Sequence, residues 1–310
     1  DNKWKARIKF LVKDLTPAGF RDEVEADWAH AKDGPSTIPE EEIERIAGRF
    51  TRPDYRSLDD DPRPLAELVP GDADFARWVK RNVHPHRVPG YRAVTLTLKR
   101  RGVPPGDVTA DQMDAIADLA DRYSFGELRV THEQNLVFAD VERTELPALW
   151  RTLRELGLAT PNLGLLTNII ACPGGDFCSL ANAVSIPIAL AVQERFDNLD
   201  YLYDIGELDL NMSGCINACG HHHVGHIGIL GVDKAGEDWY QVTIGGRQGP
   251  NAAIGRIIGP SFAKEEIPDV IERLIGVYLE ARESEEERFV DTVHRIGLQP
   301  FKEAVYAHAD

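Results

Sequence analysis

The four cysteines of this 310-residue chain lie in one stretch of the sequence, where they form two close pairs. Cys172 and Cys178 make the first pair, and Cys215 and Cys219 make the second. Glycines lie beside or between these cysteines, at Gly174, Gly175, Gly214 and Gly220. Four thiolates from two loops are the ligand set of one iron–sulfur cube or of one zinc ion. The sequence therefore predicts that the two loops converge on a metal centre.

Zinc is the alternative to a cluster, because His221, His222, His223 and His226 follow the second pair closely. Structural zinc sites favour cysteine pairs separated by two to four residues, whereas five residues separate the first pair here. Glycine-rich loops suit a cluster, since their backbone N–H groups can face its negatively charged sulfides. The pattern favours an iron–sulfur cluster and leaves zinc open.

Charge and hydropathy limit the other functions that the chain could have. The sequence has 51 acidic and 35 basic residues, a formal net charge of −16, which argues against nucleic-acid binding because phosphate recognition needs a basic surface. The longest apolar stretch, 186–192, is too short to span a bilayer, and we see no leader segment. We expect a cytoplasmic protein with no membrane partner, in which cysteines serve as ligands rather than as disulfides.

The first 160 residues divide by pattern into three parts. Residues 1–32 predict two amphipathic helices that end a preceding domain, with Thr16 and Pro17 at the start of the second helix. Residues 33–69 are polar and proline-rich, which is typical of a connector. Residues 70–160 predict the order βαββα of a ferredoxin-like half-domain. Its predicted strands are 91–99, 128–131 and 136–141. One predicted helix begins at a capping box formed by Thr109 and Gln112, and the other spans 149–156.

The first of these strands alternates apolar and polar residues, so we expect Thr95, Thr97 and Lys99 on a solvated face. Residues 161–310 predict an α/β domain that contains both cysteine pairs. Its predicted elements are a helix over 179–196, a strand over 208–212, a hairpin of 227–232 and 240–244, and a helix over 267–283. The fold class predicted for the chain is therefore α+β.

The cysteine spacing, with Asn217 inside the second pair and the segments 225–231 and 244–246 after it, resembles a known family. It is similar to the carboxy-terminal half of the siroheme-containing sulfite and nitrite reductases. The resemblance extends upstream through residues 129–136 and 2–25, and so covers nearly the whole chain.

This resemblance implies two cofactors, siroheme and a [4Fe-4S] cluster. The cluster ligands would be Cys172, Cys178, Cys215 and Cys219, and Cys219 would also be the axial ligand of the siroheme iron and the catalytic link between the two centres. The implied reaction is the six-electron reduction of sulfite to sulfide, or of nitrite to ammonia. A non-catalytic iron–sulfur or zinc module is the competing hypothesis.

The resemblance also implies further site residues and partners. Asn217, Gln134 and Asn135 match positions near the macrocycle, and Arg7 would reach a siroheme carboxylate; each could instead be a turn or cap residue. The family's arginines and lysines that bind the substrate anion lie in its amino-terminal half, which this sequence lacks. We therefore expect a complementary amino-terminal half as partner, together with a flavoprotein or ferredoxin as electron donor.

Overall fold

The structure is a computed structural model that describes residues 7–59 and 61–307. The chain forms two compact units, one ending at Tyr55 and one beginning at Arg56. The first unit contains helices α1 (Ile8–Ala31) and α2 (Glu40–Ala47). Helix α1 is kinked at Thr16, whose φ of 67° is not helical and whose Oγ1 accepts a hydrogen bond of 3.4 Å from Gly19 N. The kink confirms two successive helices, and residues 2–6 of the resemblance lie outside the described residues.

Helix α2 lies within the stretch that the sequence predicted as a connector. Its first turn carries Glu40, Glu41 and Glu42, whose negative charges stabilise the helix by interacting with the positive amino-terminal end of its dipole. No residue of this helix is buried, which explains why its sequence shows a polar composition rather than a core pattern.

The second unit begins with a four-stranded antiparallel sheet and three helices. In chain order they are α3 (Ala73–Asn82), β1 (Val83–Pro85), β2 (Tyr91–Leu96), α4 (Ala110–Tyr123), β3 (Leu128–Val130), β4 (Leu136–Glu142) and α5 (Leu146–Glu155). The strand order is β1-β2-β4-β3. The predicted βαββα order is confirmed from β2 to α5, and α3 and β1 precede it. Strand β1 is too short, and ends too soon at Pro85, to give an alternating pattern.

A capping box at its amino-terminal end explains where α4 begins, and buried apolar side chains hold the helices against the sheet. Thr109 Oγ1 accepts from Gln112 N at 3.2 Å and Gln112 Oε1 accepts from Thr109 N at 2.9 Å, so the predicted capping box is formed. The helices cover one face of the sheet with a core that includes Phe75, Trp78, Phe138 and Trp150.

The prediction of a solvated face on strand β2 was wrong. Thr95, Thr97 and Lys99 are each at most 5% exposed. The segment that leads into the following domain covers the end of this face, because Thr97 Oγ1 donates to Thr160 O at 2.6 Å and Asn162 Nδ2 donates to Lys99 O at 3.3 Å. The strand also ends at Leu96 rather than at 99, and Leu98 N donates instead to the Asn135 side chain.

A second sheet carries both cysteine pairs. Its strands are β5 (Ile170–Ala171), β6 (Leu210–Ser213), β7 (Ile227–Lys234), β8 (Glu237–Ile244), β9 (Arg256–Ile257) and β10 (Phe262–Ala263). The helices are α6 (Ile186–Arg195), α7 (Leu199–Ile205), α8 (Ile267–Ala281), α9 (Phe289–Ile296) and α10 (Gln299–Tyr306). The strand order is β10-β8-β7-β6-β5, with β9 paired to β8. Strands β5, β6 and β7 run parallel, and the remaining pairs are antiparallel.

The predicted hairpin of β7 and β8 is confirmed. Its turn is Ala235–Gly236, and both residues have positive φ, at 57° and 87°, as a two-residue hairpin turn requires. The predicted long helix α8 is also confirmed, and its buried face packs in the core of this domain. Across residues 7–59 and 61–307, no helix combines the length and the apolar composition needed to cross a bilayer.

The helix predicted over 179–196 begins only at Ile186. The Asp176 carboxylate accepts hydrogen bonds from Ser185 N at 3.2 Å and Ile186 N at 3.1 Å, and so fixes the start of α6. The preceding residues instead run back along the first cysteine loop, where Gly175 N donates to Ala183 O at 2.8 Å.

Candidate metal centre

The first and third cysteines are brought together by the register of two parallel strands. Strands β5 and β6 are neighbours, so their carboxyl ends lie at the same edge of the sheet. Cys172 directly follows β5, and its N–H donates to Met212 O of β6 at 3.1 Å. Cys215 follows the end of β6 by two residues. The sheet therefore places one cysteine of each pair side by side.

The two cysteine loops touch at a pair of glycines. A Cβ on Gly214 would lie 2.6 Å from the Gly174 Cα atom, so no larger residue fits at Gly214. The close approach lets Gly214 N donate a hydrogen bond of 3.1 Å to Cys172 Sγ. This N–H stabilises negative charge on that sulfur, as a thiolate ligand requires.

Strand β6 also fixes the far end of the second loop. Gly220 N donates to Ser213 Oγ at 3.1 Å, and Asn211 Nδ2 donates to Gly220 O at 3.1 Å. Between these points Ala218 adopts a left-handed φ of 58°. Cys215 is buried at the base of the loop, whereas Cys219 is exposed at its rim.

None of the four cysteines forms a disulfide. Although Cys219 is exposed at the rim, partial desolvation raises the pKa of its thiol, and negative charge on Cys172, Cys215 and Cys178 raises it further. A metal centre bound to these side chains would hold them as thiolates, because its positive charge offsets the repulsion between them.

The arrangement fits a [4Fe-4S] cluster held by four cysteines. The glycine contact and the N–H that faces a sulfur are features that cluster-binding loops use. Cys219, exposed at the rim, is the sulfur that could also reach a second group outside the loops. Within the described ranges 7–59 and 61–307, no three His, Cys, Asp or Glu side chains are arranged to hold a single metal ion. His226 is buried, and its Nδ1 accepts from Asp209 N at 3.1 Å.

The structure places the other predicted site residues in three regions. Asn217 lies partly buried in the second cysteine loop. Gln134 and Asn135 lie in the turn between β3 and β4, where Asn135 is buried and its Nδ2 donates to Asn168 Oδ1 at 3.1 Å. Arg7 precedes α1 in the unit that ends at Tyr55. Contacts of these residues with a macrocycle stay predictions.

Lys99 is a residue of this region that the sequence did not single out. It is 1% exposed, and its Nζ donates to Gln134 Oε1 at 3.2 Å. Burial lowers the Lys99 pKa to about 7, against the opposing charge of Glu133, which raises it. A lysine at the end of an alternating strand looks solvated in the sequence, because nothing local shows that residues 160–168 cover it.

We expect the buried Lys99 to make stability depend on pH. The unfolded chain keeps the Lys99 proton up to its ordinary pKa near 10.5, whereas the folded chain loses it near 7, so stability should rise with pH between these values. Below pH 7 the full cost of burying the charge is present. Lys99→Met should remove this slope and stabilise the protein at pH 6 to 7 by about 1–3 kcal/mol.

Urea unfolding at several pH values across this range would measure the slope. Lys302→Met is the matched control, because Lys302 is exposed on α10 and should keep the wild-type pH dependence. An unchanged slope in Lys99→Met would contradict the assignment.

Two family models match this chain, both within the unit that begins at Arg56. Residues 84–156 match the nitrite/sulfite reductase ferredoxin-like half domain, and residues 165–310 match the nitrite and sulphite reductase 4Fe-4S domain. These ranges contain the first sheet and the second sheet with its cysteine loops, respectively.

Known proteins are similar along most of this chain. A chloroplastic ferredoxin–nitrite reductase of Spinacia oleracea is 30% identical over 89% of this chain and 42% of its own length. A ferredoxin sulfite reductase of Mycobacterium tuberculosis is 28% identical over 94% of this chain and 47% of its own length. The solved structure of the Mycobacterium tuberculosis NirA protein superposes with a TM-score of 0.64 at 25% identity, covering 97% of this chain and 50% of that one. The chain thus spans less than half the length of each of these two reductases.

Proposed function

Because the chain belongs to the nitrite and sulfite reductase family, we propose that it is the carboxy-terminal half of a sulfite reductase haemoprotein. The cofactors of this family are siroheme and a [4Fe-4S] cluster, and the chain carries the family's 4Fe-4S domain. The proposed reaction is the six-electron reduction of sulfite to sulfide. Nitrite reduction to ammonia is the alternative, since relatives of both kinds are similar to this chain.

The observation that carries the proposal is that the two cysteine loops, both fastened to strand β6, touch at Gly174 and Gly214, where Gly214 N donates to Cys172 Sγ. In the proposed arrangement Cys172, Cys178, Cys215 and Cys219 hold the cluster, and Cys219 also ligates the siroheme iron. The two cofactors would store and pass electrons one at a time to an anion bound at the iron. The residues of this chain keep the sulfurs in place and keep negative charge on them, as the N–H from Gly214 to Cys172 Sγ does.

A complementary amino-terminal half is part of the proposal. Binding and protonating an oxyanion needs cationic donors at short range, and by the family's pattern these come from that half. Exposed apolar side chains on β3 and on the first cysteine loop support such a partner: Val130 and Phe177 are each 83% exposed. The proposed electron donor is a ferredoxin or a flavoprotein, and the proposed location is the cytoplasm, where thiols stay reduced.

The test is to produce the chain together with an amino-terminal half of the family and to record the visible spectrum and the products. Intense chlorin-type bands with broad cluster absorption, and sulfide formed from sulfite in preference to ammonia from nitrite, are expected. Preferential ammonia formation would favour the nitrite alternative. Colourless protein with stoichiometric zinc, or brown protein without chlorin bands, would refute the proposal in favour of a structural zinc or cluster module.

A further inference from the structure

Strand β5 is the last strand of its sheet, yet its outer edge is not left to solvent. Ala171 N donates a hydrogen bond of 3.0 Å to Gln134 Oε1, and Gln134 Nε2 donates one of 2.8 Å to Ala171 O. This pair of bonds reproduces what a neighbouring strand would offer to one residue. A single side-chain amide from the turn between β3 and β4 therefore takes the place of a missing strand.

The Gln134 carboxamide is itself held in place. Lys99 Nζ donates to the same Oε1 at 3.2 Å, and the Gln134 backbone has a left-handed φ of 59°. Gly106 packs against it so closely that a Cβ there would lie 3.1 Å from Gln134 Cβ. The amide therefore has little freedom to turn away from strand β5.

The adjoining residues of the turn bind the segment that leads into β5. Asn168 donates from Nδ2 to Glu133 Oε2 at 3.0 Å and accepts at Oδ1 from Asn135 Nδ2 at 3.1 Å. Asn135 is fixed from behind, because its Oδ1 accepts from Leu98 N at 3.0 Å. The turn thus binds the chain at two points, Asn168 and Ala171, just before the first cysteine.

Cys172 follows Ala171 and is held from the opposite side. Its N–H donates to Met212 O, and its Sγ accepts from Gly214 N. Successive residues of a strand direct their backbone groups to opposite edges, so Gln134 fixes the outer edge at Ala171 while β6 fixes the inner edge at Cys172.

We propose that Gln134 is a positioning residue for the cluster ligand Cys172, acting through the main chain of Ala171. The inference rests on the proposed function, because the proposed function is what assigns Cys172 to the cluster. This use of the carboxamide differs from the macrocycle contact that the family resemblance implies. Without the amide, the end of β5 would be held at its inner edge only, and the Cys172 sulfur would gain freedom to move with it.

Gln134→Asn tests the proposal with a minimal change. Asparagine tolerates a left-handed φ better than most residues, so the turn should form, but it is one methylene too short to reach Ala171. Gln134→Glu keeps the length and the acceptor but cannot donate to Ala171 O. His132→Asn is the matched control, because His132 lies in the same turn with its side chain 66% exposed.

Two measurements on the purified, cofactor-loaded protein follow the effect. In hydrogen–deuterium exchange, residues 169–173 should exchange roughly tenfold faster in Gln134→Asn than in the wild type, with Gln134→Glu between them and His132→Asn unchanged. The electron paramagnetic resonance spectrum of the reduced cluster should shift in the same order. A merely structural role would instead accelerate exchange across both sheets and leave the spectrum of the bound cluster unaltered.

The outcomes separate this inference from the proposed function. Wild-type exchange at 169–173 in Gln134→Asn, or an unaltered cluster spectrum, would overturn the inference while leaving the proposed function intact. Wild-type protein that carries no iron–sulfur cluster would overturn the proposed function, and the role of Gln134 toward a cluster with it. If Gln134→Asn does not fold, Gln134→Glu gives the same readouts.

Discussion

Gly220→Ala is expected to destroy the second cysteine loop. A Cβ at this position would lie 1.8 Å from Met212 O and 2.7 Å from Met212 C, inside the van der Waals contact of a backbone that forms β6. Because that backbone is hydrogen-bonded within the sheet, the loop must move instead. Cys219 directly precedes Gly220 and would move with the loop. We expect destabilisation of about 4 kcal/mol or more, together with loss of the metal centre.

Thermal or urea unfolding and the iron content of the purified variant would measure both effects. Gly276→Ala is the matched control: Gly276 lies inside α8, and a Cβ there meets nothing within 4 Å. That substitution should stabilise the helix by up to about 1 kcal/mol. A Gly220→Ala protein with wild-type stability and iron content would show that the loop is not constrained as described.

Cys219→Ser and Cys172→Ser are expected to have different effects on the proposed reductase. Serine is close to cysteine in size but is a poor ligand for iron in a cluster, so folding should survive while ligation changes. Cys172 sits between β6 and Gly214, and its loss should remove the cluster outright. Cys219→Ser should abolish the coupling between siroheme and cluster and lower sulfite reduction at least about a thousandfold, or about 4 kcal/mol in the activation barrier.

Iron and siroheme content, the visible spectrum and sulfide production with the complementary half would distinguish the two variants. All four cysteines of the sequence lie in these loops, so the two substitutions serve as controls for each other. Retention of both cofactors at normal occupancy and coupling in Cys219→Ser would refute its assignment as the bridging ligand.

Features that depend on neighbours in the sequence could be predicted with little error. The capping box of α4, the β7–β8 hairpin and the apolar face of α8 each rest on residues within a few positions of one another. The start of α6 was missed because Asp176, which caps it, lies ten residues before the helix, at the far side of the first cysteine loop. Strand β1 was missed because three residues show no periodicity.

The same distinction holds at the candidate metal centre. The cysteine spacing and its glycines were sufficient to predict two loops around one metal centre and to indicate the family. Nothing in the sequence showed that the β3–β4 turn would bind β5 through Gln134, or that Lys99 would be buried beneath it. The bonds between Gln134 and Ala171 join residues 37 positions apart, and they form only when two separately patterned sheets pack together.

The sequence by itself predicted the four cysteines as ligands, the βαββα order from β2 to α5, the β7–β8 hairpin and helix α8, and it indicated the family. Ligand chemistry and local hydrogen bonding are properties of residue types and short spacings, so they can be recognised before the chain folds. The tertiary structure alone decided which side chains are buried, where the first cysteine is held, and which sulfur lies exposed at the rim. Those properties depend on what covers a residue, and the covering residues come from distant parts of the chain.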